Sequence, residues 1–134
     1  MTITIDGGAG ITFPDTVQQT NATTNTGGAP RYYAARAWVN FDGNGTASIR
    51  AASNVASVTY INTGRYRINF ATPMPDTNYV TVATAGVSSS ASSYYNVRTY
   101  GTPSTSSVSI MVTAQSSGSP TYFDAEYMNL VVFR

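Results

Sequence analysis

Residues 35–50, ARAWVNFDGNGTASIR, carry the clearest strand and turn pattern in the chain. If the first part of this stretch is extended, Val39 and Phe41 share one face and Trp38 lies on the other. The turn segment 42–45, DGNG, is rich in glycine and Asx residues, which tolerate the positive φ angles of tight turns. An extended run resumes at residue 46, so we predict a β-hairpin.

The single tryptophan, Trp38, is predicted to pack in the core, because burying a tryptophan removes on the order of 200 Å² from water. An alternative is that Trp38 forms an exposed aromatic platform for sugar rings together with Tyr32 and Tyr33. Large aromatic side chains dominate protein cores, so the core assignment is preferred.

Length and charge indicate a single domain with a nearly neutral surface. A chain of 134 residues buries roughly two-thirds of its unfolded surface, which is enough for one core. Seven basic and six acidic residues leave a formal net charge of +1, which gives no reason to expect nucleic acid as a partner. No apolar run is long enough to span a membrane, and the first residues lack a signal-peptide pattern, so we expect no membrane insertion and synthesis in a cytoplasm.

The residue types that most often carry catalysis are missing, because the chain contains no histidine, cysteine or lysine. These supply the usual general base near neutral pH, the thiol nucleophile, the Schiff-base amine and the commonest metal ligand. We therefore expect a protein that is not an enzyme and that uses neither a cofactor nor a metal ion.

Scarce helix formers predict an almost wholly β protein. Leu130 is the one leucine and Glu126 the one glutamate, whereas threonine, serine, valine and tyrosine are abundant. The abundant types favour pleated, half-buried surfaces over helices. A second hairpin is predicted from strands at residues 54–61 and 65–70, because Asn-Thr-Gly lies between them.

Alternation predicts which side chains form the core. Two sets of alternating apolar residues are predicted to face inward: Tyr66, Ile68 and Phe70, and Val108, Ile110 and Val112. The run at residues 124–133 is apolar on both faces and is expected in the middle of a packed sheet. Counting about eight strands beyond residue 30, we predict a two-sheet antiparallel β-sandwich, jelly-roll-like, over residues 31–134.

Residues 1–30 are predicted to form an extended N-terminal arm. Its apolar side chains are too sparse for a core and are separated by glycine-rich segments. These apolar residues are Ile3, Ile5, Ile11 and Phe13. We expect them to be buried against the chain's own sandwich, another subunit or a particle surface, which would make the segment an assembly arm. A disordered terminus is the alternative.

Two segments, residues 8–22 and 36–85, carry a distinctive pattern of turns and aromatic residues. The residues of the second segment that carry it are Arg36, Ala37, Trp38, Val39, Phe41, Gly43, Gly45, Gly64, Tyr66, Phe70, Pro75 and Tyr79. At these positions the chain resembles the small β-domain found in tail-fibre and other structural virion proteins of phages, especially phages of cyanobacteria and marine bacteria. The first segment, GAGITFPDTVQQTNA, resembles the segment that often precedes this domain.

The resemblance implies a non-enzymatic structural virion protein of a phage, of the tail-fibre or receptor-binding type, that acts through surface complementarity. It implies a homotrimer in the virion, assembled in the host cytoplasm, with other virion proteins and a host surface glycan as further partners. Because 134 residues leave no room for a fibre shaft, a capsid decoration (cement) protein is an alternative. A carbohydrate-binding module is another.

Residues 88–95, SSSASSYY, are similar in composition to the loops by which binding proteins recognise ligands. Tyrosine offers a large amphipathic contact area at small entropic cost. The candidate ligand-binding residues are Ser92, Ser93, Tyr94 and Tyr95. The alternative is a solvated loop that leads into a strand.

Asp124 and Glu126 form the one nearby pair of carboxylates in the predicted sandwich. On a strand they would share a face about 7 Å apart, a separation that a glycoside hydrolase can use. No wider motif supports this weak alternative, and carboxylates more often pair with arginines. The DGNG segment at 42–45 offers too few oxygen ligands for a calcium loop, so we interpret it as a turn.

Overall fold

The computed structural model describes three short strands within residues 4–19 and, in full, residues 35–88, 94–115 and 119–134. Every regular element in these ranges is a β-strand. The chain divides into two compact units, Met1–Ala34 and Ala35–Arg134. The first unit contains one antiparallel sheet, whose strands in spatial order are β1 (Thr4–Asp6), β2 (Gly10–Thr12) and β3 (Gln18–Gln19).

The second unit begins with the predicted hairpin and builds a four-stranded sheet around it. The strands are β4 (Ala35–Asp42), β5 (Ser48–Ser53), β8 (Val80–Gly86) and β12 (Tyr127–Phe133). Their spatial order is β5-β4-β12-β8, and the neighbours are antiparallel. The apolar last strand therefore lies between two others, as its two-sided apolar pattern predicted.

The other sheet of this unit has five strands. They are β6 (Val55–Asn62), β7 (Arg65–Phe70), β9 (Tyr94–Thr99), β10 (Ser107–Gln115) and β11 (Thr121–Tyr122). The β6–β7 hairpin turns at residues 63–64, as predicted. The long strand β10 organises the sheet, because it pairs with β7, β9 and β11. The two-residue strand β11 had no alternation signal and was not predicted.

The core lies between the two sheets and confirms the predicted all-β, two-sheet sandwich. Both sheets contribute alternating side chains, and the period-2 pattern identified the inward faces of β7 and β10 correctly. The strand residues of this core are Ala37, Val39, Phe41, Tyr66, Ile68, Phe70, Val108, Ile110, Val112, Met128, Leu130 and Val132. Phe41 and Tyr66 join the sheets through an edge-to-face ring contact, with centroids 5.2 Å apart.

The DGNG turn needs its glycines for two different reasons. Gly45 has a φ of 64°, which glycine adopts without a steric penalty. Gly43 instead needs space, since a Cβ there would lie 2.5 Å from the carbonyl oxygen of Ala125 and 2.7 Å from the Tyr66 hydroxyl oxygen. The turn segment is closed by a hydrogen bond from the Asn44 amide to the Asp42 carboxylate, 2.9 Å long.

The prediction that Trp38 packs in the core is wrong. Trp38 lies on the outer face of β4, and 41% of its surface is exposed. Its neighbours Val39 and Ala37 point inward and are buried. The predicted alternation of the strand was correct, but alternation alone does not say which residues of a strand must face out. The size of the indole side chain was therefore a false indicator that Trp38 is buried.

The predicted N-terminal arm lies largely outside the described residues. Ile5 and Ile11 are opposite each other in the register of β1 and β2, and their side chains are not described. Ile3 and Phe13 lie outside the described residues altogether, as do Tyr32 and Tyr33 of the proposed aromatic platform. The assembly role of the arm stays a prediction.

Candidate functional site

An apolar surface lies on the outer side of the four-stranded sheet. Val131 of β12 pairs with Trp38 of β4 on one side and with Val82 of β8 on the other, so these three side chains form one row across three strands. Val80 extends the row along β8. We call Trp38, Val80, Val82 and Val131 the Trp38 face. The exposed fractions of Val80 and Val82 are 62% and 52%, which are large for valine on a sheet.

An open groove of about 330 Å³ runs along this face. Its apolar side is formed by Trp38, Val82 and Val131, and its polar side by amide and hydroxyl groups. Asn40 donates to Asn129 Oδ1 at 2.6 Å, and Asn129 donates to Thr84 Oγ1 at 3.2 Å. The polar groups therefore form a hydrogen-bonded ladder across three strands beside the apolar row. Such a surface combines apolar contact with fixed polar groups at its edge, as protein interfaces do.

The Trp38 face was not predicted as a site. Its signal in the sequence was the strand at residues 80–86, where Val80 and Val82 alternate with Thr81 and Ala83. Small residues on one side of that strand and valines on the other define two faces, but alternation does not say which of the two is buried. A solvent-facing strand surface ordinarily carries polar residues, so the valines were the informative exception.

The four predicted ligand-binding residues do not form one cluster in the described structure. Ser92 and Ser93 lie outside the described residues. Tyr94 begins β9 and is 84% exposed, so it is available to a ligand. Tyr95 points the other way and packs on Phe123, with ring centroids 5.2 Å apart. Tyr95 therefore has a packing role.

Asp124 lies between β11 and β12 and binds this segment to the β6–β7 hairpin. Its Oδ1 accepts from the Gly64 amide at 2.6 Å and from the Tyr66 hydroxyl at 2.8 Å, and its Oδ2 accepts from the Tyr60 hydroxyl at 3.0 Å. We call Asp124 with Tyr60, Gly64 and Tyr66 the Asp124 clasp. Gly64 is also bound to β10, because the Val112 amide donates to the Gly64 carbonyl oxygen at 2.7 Å.

The glycosidase alternative placed Asp124 and Glu126 on one strand, and this placement is wrong. Strand β12 begins at Tyr127, and both carboxylates precede it. Glu126 accepts hydrogen bonds from the hydroxyl and the backbone amide of Ser88, and these bonds lower its pKa below the usual range. A general acid needs a raised pKa, so the environment of Glu126 does not suit that role. Both carboxylates accept structural hydrogen bonds.

The part of the chain that the structure describes contains no group of three or more acidic, histidine or cysteine side chains placed to hold a metal ion. Nor does that part contain a helix of the length and hydropathy required to cross a membrane. Comparisons with protein-family models, with curated proteins and with solved structures find no match for this chain.

The Asp124 clasp should make the folded state less stable at alkaline pH. Burial raises the pKa of the Tyr66 hydroxyl far above its usual value near 10, and the hydrogen bond to Asp124 raises it further. Because this pKa is raised in the folded state, the contribution of the Tyr66 hydroxyl to stability is complete below pH ~10 and is lost as the pH rises beyond it. We expect the melting temperature to fall above pH ~10, and to fall less steeply in Tyr66→Phe. Equal slopes in the two proteins, measured by circular dichroism, would contradict this assignment.

Proposed function

We propose that this chain is a non-enzymatic structural virion protein of a phage, of the tail-fibre or receptor-binding type, that assembles into a homotrimer through the Trp38 face. The phage class and the trimer come from the resemblance of residues 36–85. The observation that carries the assembly role is the row of apolar side chains across three strands, in which Trp38 and Val82 are exposed and Val131 between them is half-buried. Contiguous exposed apolar surface in a water-soluble fold is typical of a surface that another protein covers.

The electrostatics of this surface favour another copy of the chain as the occupant. None of the described residues that line the groove is charged, and its polar groups are those of Asn40, Thr84 and Asn129. Where this face meets its own copies around a threefold axis, a neutral surface avoids the like-charge repulsion that a charged one would suffer. Tryptophan is also among the residues that most often dominate binding energy at interfaces. Trp38 is therefore the expected anchor of the contact.

The assembly role predicts the mass of the protein in solution. We expect multi-angle light scattering of the full chain to give three times the 14.2 kDa of one copy. Val82→Asp should reduce this to a single copy, because it would place a charge in the middle of an apolar contact. Tyr94→Asp is the matched control, since Tyr94 is exposed on the other sheet and its change should leave the mass unaltered.

Circular dichroism of both variants separates loss of assembly from loss of folding. A wild-type chain that stays monomeric at high concentration, or a Val82→Asp variant that stays trimeric, would refute assembly through this face. Peptide mass spectrometry and immunogold labelling of purified particles test the virion location. Label on the capsid would favour the decoration-protein alternative, and a chain absent from particles that binds neutral sugars on a glycan array would favour the carbohydrate-binding module.

A further inference from the structure

Three arginines lie together on the outer side of the five-stranded sheet. Met111 of β10 pairs with Arg65 of β7 on one side and with Arg98 of β9 on the other. Arg67 lies two residues further along β7, on the same side. With strands ~4.8 Å apart and alternate residues ~7 Å apart, the three Cα atoms form a triangle with sides of roughly 7–12 Å. We define the arginine face as Arg65, Arg67, Arg98, Tyr94, Tyr100 and Tyr122.

Arg65 is held in place by two tyrosine rings. Its guanidinium carbon lies 4.7 Å from the ring centroid of Tyr100 and 4.3 Å from that of Tyr122. It also donates a hydrogen bond to the Tyr122 hydroxyl. These contacts restrict the side chain before any ligand arrives, so less conformational entropy is lost when the guanidinium binds an anion.

The charges of this face are not neutralised within the described side chains. The described carboxylates are used elsewhere: Asp42 pairs with Arg50, Asp76 with Arg134, Asp124 belongs to its clasp, and Glu126 binds Ser88. Arg98 donates instead to the uncharged Met111 Sδ. Arg65 Nε is buried and has no acceptor among the described residues. Three positive charges are thus concentrated on one face of a chain whose formal net charge is only +1.

We propose that the arginine face binds an anionic polysaccharide. Guanidinium groups recognise carboxylate and sulfate oxygens through paired N–H donors. The alternation of β9 places Tyr94 on the same side as Arg98, and 84% of Tyr94 is exposed, so its ring offers a stacking surface for a sugar. Asn69 and Thr59 add neutral hydrogen-bonding groups beside Arg67, which suit sugar hydroxyls.

Nucleic acid fits these observations less well than a charged glycan. Affinity for nucleic acid comes mainly from many phosphate contacts, and this face offers three cations. Two of its tyrosine rings are already packed against Arg65, which leaves less aromatic surface for stacking successive bases. The site lies on the sheet opposite the Trp38 face, so a monomeric chain should still bind glycan, and failure of the assembly proposal would not affect this one.

Heparin and alginate serve as sulfated and carboxylated probes, and dextran serves as a neutral probe. We expect calorimetry at low salt to show that the full chain binds at least one of the two anionic glycans. This binding should weaken as the salt concentration rises, and dextran should not bind. Arg67→Gln combined with Arg98→Gln should weaken binding at least about tenfold. Arg36→Gln combined with Arg50→Gln is the matched control, because both double variants change the formal net charge from +1 to −1.

Both residues of the test variant are exposed, so folding should be retained, as circular dichroism can verify. Tyr94→Ala should also weaken glycan binding although it leaves the charge unchanged. If the two double variants lost equal affinity for the anionic glycans, net charge alone would explain the loss, and that result would overturn the proposal. So would tighter binding of a single-stranded oligonucleotide than of either glycan at equal salt, or no binding of either anionic glycan.

Discussion

Replacing Phe41 by alanine should lower the free energy of unfolding by about 3–5 kcal/mol, the usual cost of truncating a buried phenylalanine. Phe41 is completely buried and comes from β4, in the middle of the core between the two sheets. Its ring contacts Tyr66 of the opposite sheet edge to face. Truncation therefore removes apolar burial, leaves a cavity and breaks an aromatic contact that joins the sheets.

The neighbouring residue Asn40 provides the control for this experiment. Asn40 lies on the same strand but faces outward, where it donates one hydrogen bond to Asn129. Asn40→Ala should cost about 1 kcal/mol or less, because a single exposed hydrogen bond contributes little net stability. Urea unfolding of both variants measures the difference. If Phe41→Ala were no more destabilising than Asn40→Ala, the core between the sheets would not be organised around Phe41.

Replacing Asp124 by alanine should lower the free energy of unfolding by about 2–4 kcal/mol, because it removes a charged acceptor and leaves at least one buried donor unpaired. The Gly64 amide is the critical donor, since Gly64 is buried and its bond to Asp124 is 2.6 Å long. The Tyr66 hydroxyl can still donate to the Gly43 carbonyl oxygen, 2.9 Å away. The loss of unfolding free energy should therefore be smaller than the summed contributions of three separate hydrogen bonds.

Two other substitutions make the result specific to the clasp. Asp124→Asn keeps one acceptor oxygen and should recover part of the lost stability. Asp76→Ala removes a carboxylate of the same type from an exposed pair with Arg134 and should have a smaller effect. Should chemical denaturation show equal losses for Asp124→Ala and Asp76→Ala, Asp124 would have to be regarded as an ordinary surface carboxylate.

The sandwich separates two kinds of chemistry by placing one sheet on each side of the core. The outer side of the four-stranded sheet carries the apolar row of Trp38, Val131 and Val82, and the outer side of the five-stranded sheet carries the three arginines. Because side chains alternate along every strand, residues that share an outer face are interleaved in sequence with core residues. Substitutions on either face should therefore alter binding while the core stays intact.

The sequence by itself determined the fold class, both hairpins and most of the core. Alternation has a period of exactly two residues along a strand, so Tyr66, Ile68 and Phe70 had to share a face, as did Val108, Ile110 and Val112. Glycine and Asx residues marked the turns, because few other residues adopt the required backbone angles. These signals are local, and local signals are readable from one sequence.

Tertiary structure alone decided the sites. Which strands become neighbours depends on pairing between distant segments, and this pairing brought Val82 beside Val131 and Trp38, and Arg98 beside Met111 and Arg65. The same long-range packing turned Trp38 outward and placed Asp124, 60 residues from Gly64, against the β6–β7 turn. Period-2 alternation divides a strand into two faces, but which face is covered depends on which sheet packs against it.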